Sequence, residues 1–140
     1  MVRISEIELI KLLMEDGREA YVKIAKHFGV SETAIRKRVR ALIEKGVIKK
    51  FTIEVNPKKI GFEIQALIGI DTQPEHFISV LDELKSRNDV VHLYSASGDH
   101  MILIEMWFKN SEALSSFIQS MESREEITRV CPAIILEQLK

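Results

Sequence analysis

Thr33, Arg36, Lys37 and Arg40 recur at the spacing that puts side chains on one face of a helix. At 100° per residue the apolar Ile35, Val39 and Leu42 fall on the opposite face, and Ser31 and Glu32 precede them at the tip. Lysine and arginine neutralise phosphates, and arginine also makes paired hydrogen bonds to a guanine edge. From Arg36 to Lys50 there are seven basic residues against one acidic residue, Glu44. A basic outward face also occurs on helices that bind nothing, so a solvated amphipathic helix is the alternative at this point.

A second cluster, Gly98, Asp99, His100 and Met101, has the chemistry to hold a small ligand. Glycine allows close backbone approach, and exposed N–H groups in a tight turn hold a carboxylate. Asp99 suits an amino group, and His100 and Met101 would shape the site. An ordinary β-hairpin turn uses the same residue types. Other chemistries find less support. His27, His76, His92, His100 and Cys131 are scattered, with no pair at a metal-ligand spacing. Tyr94, Trp107 and Phe108 are too dispersed for a base-stacking platform. No nucleophile–base pattern or phosphate-binding glycine loop points to an enzyme, and no cofactor is expected.

The elements that must position these residues follow from the periodicity. Ser5-x-x-Glu8 reads as a capping box opening a helix with Ile7, Ile10, Leu13 and Met14 as its stripe, ending near Gly17. A short helix over Ala20–Phe28 carries Ile24, Ala25 and Phe28, and Gly29 offers a left-handed stop. Ser31 caps the third helix, which runs to about Lys45 with Ile43 added to its stripe, and Gly46 ends it. Helix, glycine turn and basic helix in this order read as a helix-turn-helix. Val47–Val55, rich in β-branched residues, reads as a strand beside it, giving a winged-type domain. Asn56-Pro57 then breaks the pattern.

Beyond it the period changes. Strands are expected over 62–71, 90–96, 100–108 and 127–136, with helices over about 74–86 and from Asn110 onward. Thr72-x-x-Glu75 reads as a second capping box, and the first strand buries Ile64, Ala66, Ile68 and Ile70. The order β-α-β-β-α-β is that of a ferredoxin-like domain. The fold class is therefore α+β, with a helix-turn-helix domain over 1–55, a linker over 56–61 and a ferredoxin-like domain over 62–140. Two helices cover one sheet face, and the apolar residues left on the other argue for a homodimer.

Charge divides along the same line. The 140 residues carry a net charge of −1, but residues 1–50 hold +5 and residues 51–140 hold −6. A basic first third suits a polyanionic partner such as double-stranded DNA. One cysteine suits a reducing cytosol, no run approaches the ~20 apolar residues of a membrane span, and the early acidic residues do not read as a secretion signal.

Ile24-Ala25-Lys26-His27-Phe28-Gly29-Val30-Ser31, Arg36-Lys37-Arg38-Val39-Arg40-Ala41-Leu42 and Gly46-Val47-Ile48 resemble the Lrp/AsnC family of transcription regulators, the feast/famine proteins. The resemblance extends through Asn56-Pro57, the βαββαβ order and Ser97-Gly98-Asp99. It implies a cytoplasmic regulator whose third helix enters the major groove. It also implies dimers that assemble into larger discs or octamers, with an amino-acid effector between C-terminal domains. Amino-acid-responsive members often read Gly-x-x-Asp at this turn, and Met101 stands here in the acidic position. An architectural DNA-binding protein with little sequence preference and no effector is the alternative.

Overall fold

The computed structural model describes residues 3–140, which form two compact units, Met1–Val55 and Asn56–Lys140. In the first unit three helices, α1 (Glu6–Glu15), α2 (Tyr21–Phe28) and α3 (Glu32–Glu44), enclose a core of Leu9, Leu13, Ile24, Ala25, Ile35, Val39 and Leu42. Ser5 caps α1 by accepting the Glu8 N–H at 3.3 Å, and Ser31 caps α3 by accepting the Ala34 N–H at 3.1 Å. Gly29 ends α2 in the left-handed region at φ 67°, and the Val30 N–H then closes onto the Ala25 carbonyl at 3.0 Å. A side chain at Gly29 would be strained there, so the turn that aims α3 depends on this glycine.

Three expectations for this unit need correction. Leu13 is buried and Ile10 packs against the core as expected, but Ile7 and Met14 are 69% and 79% exposed, and Leu9 is buried in their place. Six of the ten residues of α1 are apolar and span more than half of its circumference, so its period allowed two overlapping stripes and tertiary packing chose one. Ile43 is likewise on the exposed side of α3. The strand expected over Val47–Val55 does not form among the described residues. Its residues suit a pleated ladder, but a strand exists only with a partner, and none pairs with it among the described residues.

The second unit opens on a short 3₁₀ turn, Pro57–Ile60, capped by Asn56 and ended by Gly61 at φ 101°. The segment read as linker is therefore part of this unit. There follow β1 (Ile64–Thr72), α4 (Phe77–Ser86), β2 (Val90–Ser95), β3 (Ile102–Phe108), α5 (Ser111–Glu122) and β4 (Ile127–Ile134). The antiparallel sheet has the order β2-β3-β1-β4, so the first strand of each βαβ half is central. Thr72 does not cap α4. It is the buried last residue of β1, and a 3₁₀ turn over Pro74–His76 leads into the helix. Asn110 does cap α5, accepting the Ala113 N–H at 2.9 Å.

Period-2 alternation sends Ala66, Ile68 and Ile70 of β1, with Ile102, Ile104 and Met106 of β3, to one sheet face. There they meet Val80 and Leu84 of α4 and Leu114, Phe117 and Met121 of α5. The other face carries Gln65, Leu67, Gly69 and Asp71 of β1 and Leu103, Glu105 and Trp107 of β3. His92 and Tyr94 of β2 and Arg129, Cys131 and Ala133 of β4 complete it. No helix of this unit covers that face.

Ile68→Ala, which empties a fully buried site, is expected to cost about 2–5 kcal/mol of the second unit's stability. Ile7→Ala, at an exposed position, should cost less than about 1 kcal/mol. Urea unfolding of the two variants checks this. A larger loss for Ile7→Ala would restore the other stripe of α1.

Candidate nucleic-acid interface and effector turn

The outward face of α3 presents Thr33, Arg36, Lys37 and Arg40, all exposed, with Ser31 and Glu32 at its N-terminal end. Their environments differ in a way the spacing did not reveal. Arg36 Nη2 donates to Glu32 Oε1 at 2.6 Å, and its guanidinium lies 5.4 Å from the Tyr21 ring centroid on α2. Arg36 is thus held by a carboxylate and an aromatic face. Lys37 and Arg40 make no ion pair among the described residues and are the uncompensated charges of this face. Ser31 spends its hydroxyl oxygen on the helix cap. Arg38, on the flank, pairs with Glu6 of α1 at 3.2 Å.

In the second unit the 96–101 turn joins β2 to β3, closed by the Ala96 N–H on the Met101 carbonyl at 2.9 Å. Gly98 holds φ 111°, which the turn requires of a glycine. Gly98 and Asp99 are exposed, and the N–H groups of Ser97, Gly98, Asp99 and His100 meet no acceptor among the described residues. His100 and Met101 behave differently. The Met101 side chain packs against the apolar core, so the turn offers its backbone and not its thioether. His100 folds back over the sheet, its Nδ1 within hydrogen-bond distance of Asp71 Oδ2 at 2.9 Å and of Arg129 Nη2 at 3.2 Å.

Asp71 is the residue that sequence reasoning missed. Its Oδ1 accepts the Met101 N–H at 2.8 Å, and Oδ2 also accepts Nε of Arg129 at 3.0 Å. Arg129, opposite Asp71 in the β1–β4 register, reaches the Asp99 carbonyl with Nη2. Burial acts to raise the Asp71 pKa. The hydrogen bonds from His100, Met101 and Arg129 outweigh it and hold the carboxyl below its ordinary 3.8. A charged residue on the period-2 face of an apolar strand was the available signal, but nothing in the sequence gave the register that brings the partners together.

A second carboxylate sits on the same sheet face. Glu105 accepts from His92 Nδ1 at 2.9 Å, Gln65 Nε2 at 3.0 Å and Trp107 Nε1 at 2.8 Å. Burial acts to raise its pKa, and these three donors overcome that, holding it below the ordinary 4.5. Among the described residues no group of histidine, cysteine and carboxylate side chains could hold a metal, and no helix is long and apolar enough to cross a membrane.

A basic helix-turn-helix with a ferredoxin-like domain defines a two-domain DNA-binding regulator. Residues 7–43 match the AsnC-type helix-turn-helix domain and residues 65–140 the Lrp/AsnC ligand binding domain. The chain belongs to the Lrp/AsnC family of transcription regulators. It is 45% identical to the HTH-type transcriptional regulator LrpA of Pyrococcus horikoshii over 133 residues, 94% of each chain. The structure of E. coli AsnC superposes with a TM-score of 0.78 at 29% identity, covering 99% of this chain and 95% of that one. A feast or famine regulatory protein from M. tuberculosis, solved with L-methionine, gives 0.78 at 25% identity, over 94% of this chain and 90% of that one.

Because the folded pKa of Glu105 is depressed, its contribution to stability is fully present above the unfolded value near 4.5. It is lost as pH falls through the lower folded value. Glu105→Gln should therefore narrow the stability gap to the wild type as pH drops from about 6 toward 3. Paired denaturation series across that range test this, and a gap independent of pH would remove the charge from the account.

Proposed function

We propose that α3 is the reading helix, and that Arg36 contacts a base edge while Lys37 and Arg40 contact phosphates. The carrying observation is the outward face of α3, where Arg36 is held by Glu32 and Tyr21 and the other two charges are free. A held guanidinium loses less freedom on making two hydrogen bonds to one base. Free, flexible ammonium and guanidinium groups suit the less directional backbone. Ser31, Glu32 and Thr33 then lie at the tip that approaches the bases.

The open sheet face is proposed as the contact between two copies of the chain. It exposes Leu67 and Tyr94 beside Leu103 and Trp107, yet its central carboxylate, Glu105, already has three donors. Such a face can lose its water without stranding a charge. Further assembly of dimers, up to octamers, is proposed on the family resemblance. The effector is proposed to be an amino acid, its carboxylate on the free N–H groups of the 97–100 turn and its amino group on Asp99. The L-methionine in the M. tuberculosis relative supports that class. Gly98, Asp99 and His100 would form the site, with Met101 contributing its backbone. The regulator acts in the cytoplasm.

Mobility shifts across a salt series, on the chain's own promoter and on random DNA, test the reading. Arg36→Ala should weaken promoter binding by roughly 1–3 kcal/mol and relax sequence preference. Lys37→Ala or Arg40→Ala should weaken both DNAs alike and reduce the salt slope by about one. Equal wild-type affinity for promoter and random DNA would instead favour an architectural protein. Calorimetry with the twenty amino acids at millimolar concentration tests the effector, and heat from none would remove it.

A further inference from the structure

Glu32 is an acid on a surface otherwise basic. It shares the outward face of α3 with Arg36, Lys37 and Arg40, where a carboxylate repels the phosphates that the face suits. Its Oε1 accepts from Arg36 Nη2 at 2.6 Å, and the two side chains are 45% and 55% exposed. An exposed pair four residues apart on a helix adds little to stability. The fold therefore accounts for this carboxylate only through its place at the helix N-terminus, where an acid suits the macrodipole.

Tyr21 holds the same guanidinium from another element. It is the first residue of α2, half-buried against the core of the first unit, and its ring centroid lies 5.4 Å from the Arg36 guanidinium carbon. A ring seated against the core is a fixed platform. Among the described residues of the first unit, no other arginine has both a carboxylate and a ring against it. A guanidinium is planar and carries its N–H groups in a rigid fork. Tyr21 occupies one flat face and Glu32 one N–H group. A pair of the remaining N–H groups matches the O6 and N7 acceptors of a guanine edge without breaking either hold.

We propose that Tyr21 and Glu32 determine the sequence discrimination of α3, by keeping Arg36 in one orientation and withholding it from DNA phosphates. The inference rests on Arg36 as the base contact and assigns its selectivity to two residues that need touch no base. On a guanine edge the guanidinium keeps both holds, and exclusion of water from the contact strengthens its pair with Glu32. On other DNA, Arg36 reaches a phosphate only by leaving Glu32, whose carboxylate then stands unpaired beside the polyanion. Opposition to the wrong DNA is thus built into the reading face itself. Tyr21 is a positioning residue, acting on DNA only through Arg36.

Two pairs of substitutions separate this role from a structural one. Tyr21→Leu removes the ring but keeps an apolar group on the core, whereas Tyr21→Phe keeps the ring. Glu32→Gln removes the charge. Glu32→Asp keeps the charge at the helix N-terminus, but its shorter side chain draws back from Arg36. Mobility shifts of the full-length chain on its own promoter and on random DNA, across a salt series, give the ratio of the two affinities. Arg36→Ala runs beside them as the reference, with circular dichroism as the folding control. Should Tyr21→Leu not fold, the exposed Glu32 pair of variants carries the test.

The expected result is a promoter-to-random ratio at least about fivefold lower for Tyr21→Leu, Glu32→Gln and Glu32→Asp, with Tyr21→Phe within about twofold of wild type. Tyr21→Leu should lose promoter affinity alone. Glu32→Gln should gain affinity for random DNA and steepen its salt slope by about one, as the released Arg36 takes a phosphate. If Arg36→Ala lowers the ratio while folded Tyr21→Leu or Glu32→Gln keeps it, the inference is overturned and Arg36 remains the reader. A wild-type ratio for Glu32→Asp would assign the acid to the helix N-terminus and overturn its withholding role. A ratio unchanged by Arg36→Ala would overturn the base-contact reading, and the inference with it.

Discussion

A four-stranded sheet has two faces, and this chain has two helices in the same unit, enough to cover one of them. Alternation along β1 and β3 sends Ala66, Ile68, Ile70, Ile102, Ile104 and Met106 toward α4 and α5 and leaves Leu67, Leu103 and Trp107 behind. Most of what distinguishes the second unit follows from how that uncovered face is furnished. Its charges are not scattered in the manner of a solvated surface. Glu105 and Asp71 each receive three hydrogen bonds, from neighbouring strands, the adjoining turn or, for Trp107 on Glu105, the same strand, an expensive arrangement for a face meant to stay wet.

The first unit meets a different constraint. A reading helix has to be rigidly aimed, yet its useful face must remain bare. The left-handed Gly29 and the Val30 N–H closing onto the Ala25 carbonyl set the turn, the Ser31 cap starts the helix cleanly, and Ile35, Val39 and Leu42 fix its rotation. Rotation is the quantity that matters, since Arg36 and Arg38 stand about 160° apart around the helix and only one of them can face outward. Arg38 in fact turns aside to Glu6. Within the outward face, the hold of Glu32 and Tyr21 on Arg36 divides chemically similar residues into one held charge and two that make no ion pair among the described residues.

Much of this was legible in the residues. Helix-glycine-helix, the basic face and the βαββαβ order depend on local propensity and period, and local sequence carries both. Helix α1 shows where that legibility ends. With apolar residues at positions 7, 9, 10, 12, 13 and 14, two stripes were equally available, and only the neighbours α2 and α3 chose Leu9 and Leu13. Val47–Val55 shows it again. The residues favour a strand, but pairing is a property of two segments, and one segment alone does not contain it.

By itself, then, the sequence determined which residues would be helical, the caps of α1, α3 and α5, which surface would be basic, and which family the chain resembles. Tertiary structure decided the contacts that give those residues unequal roles. Asp71 and Arg129 are 58 positions apart and meet only because β1 and β4 pair in one register. Gly69 and His100 meet because a turn folds back over the central strand. The physical reason is that period and propensity act over a few residues, whereas register and fold-back are set by the whole core packing at once. The turn at Gly98 was visible from the start, but what holds it was not.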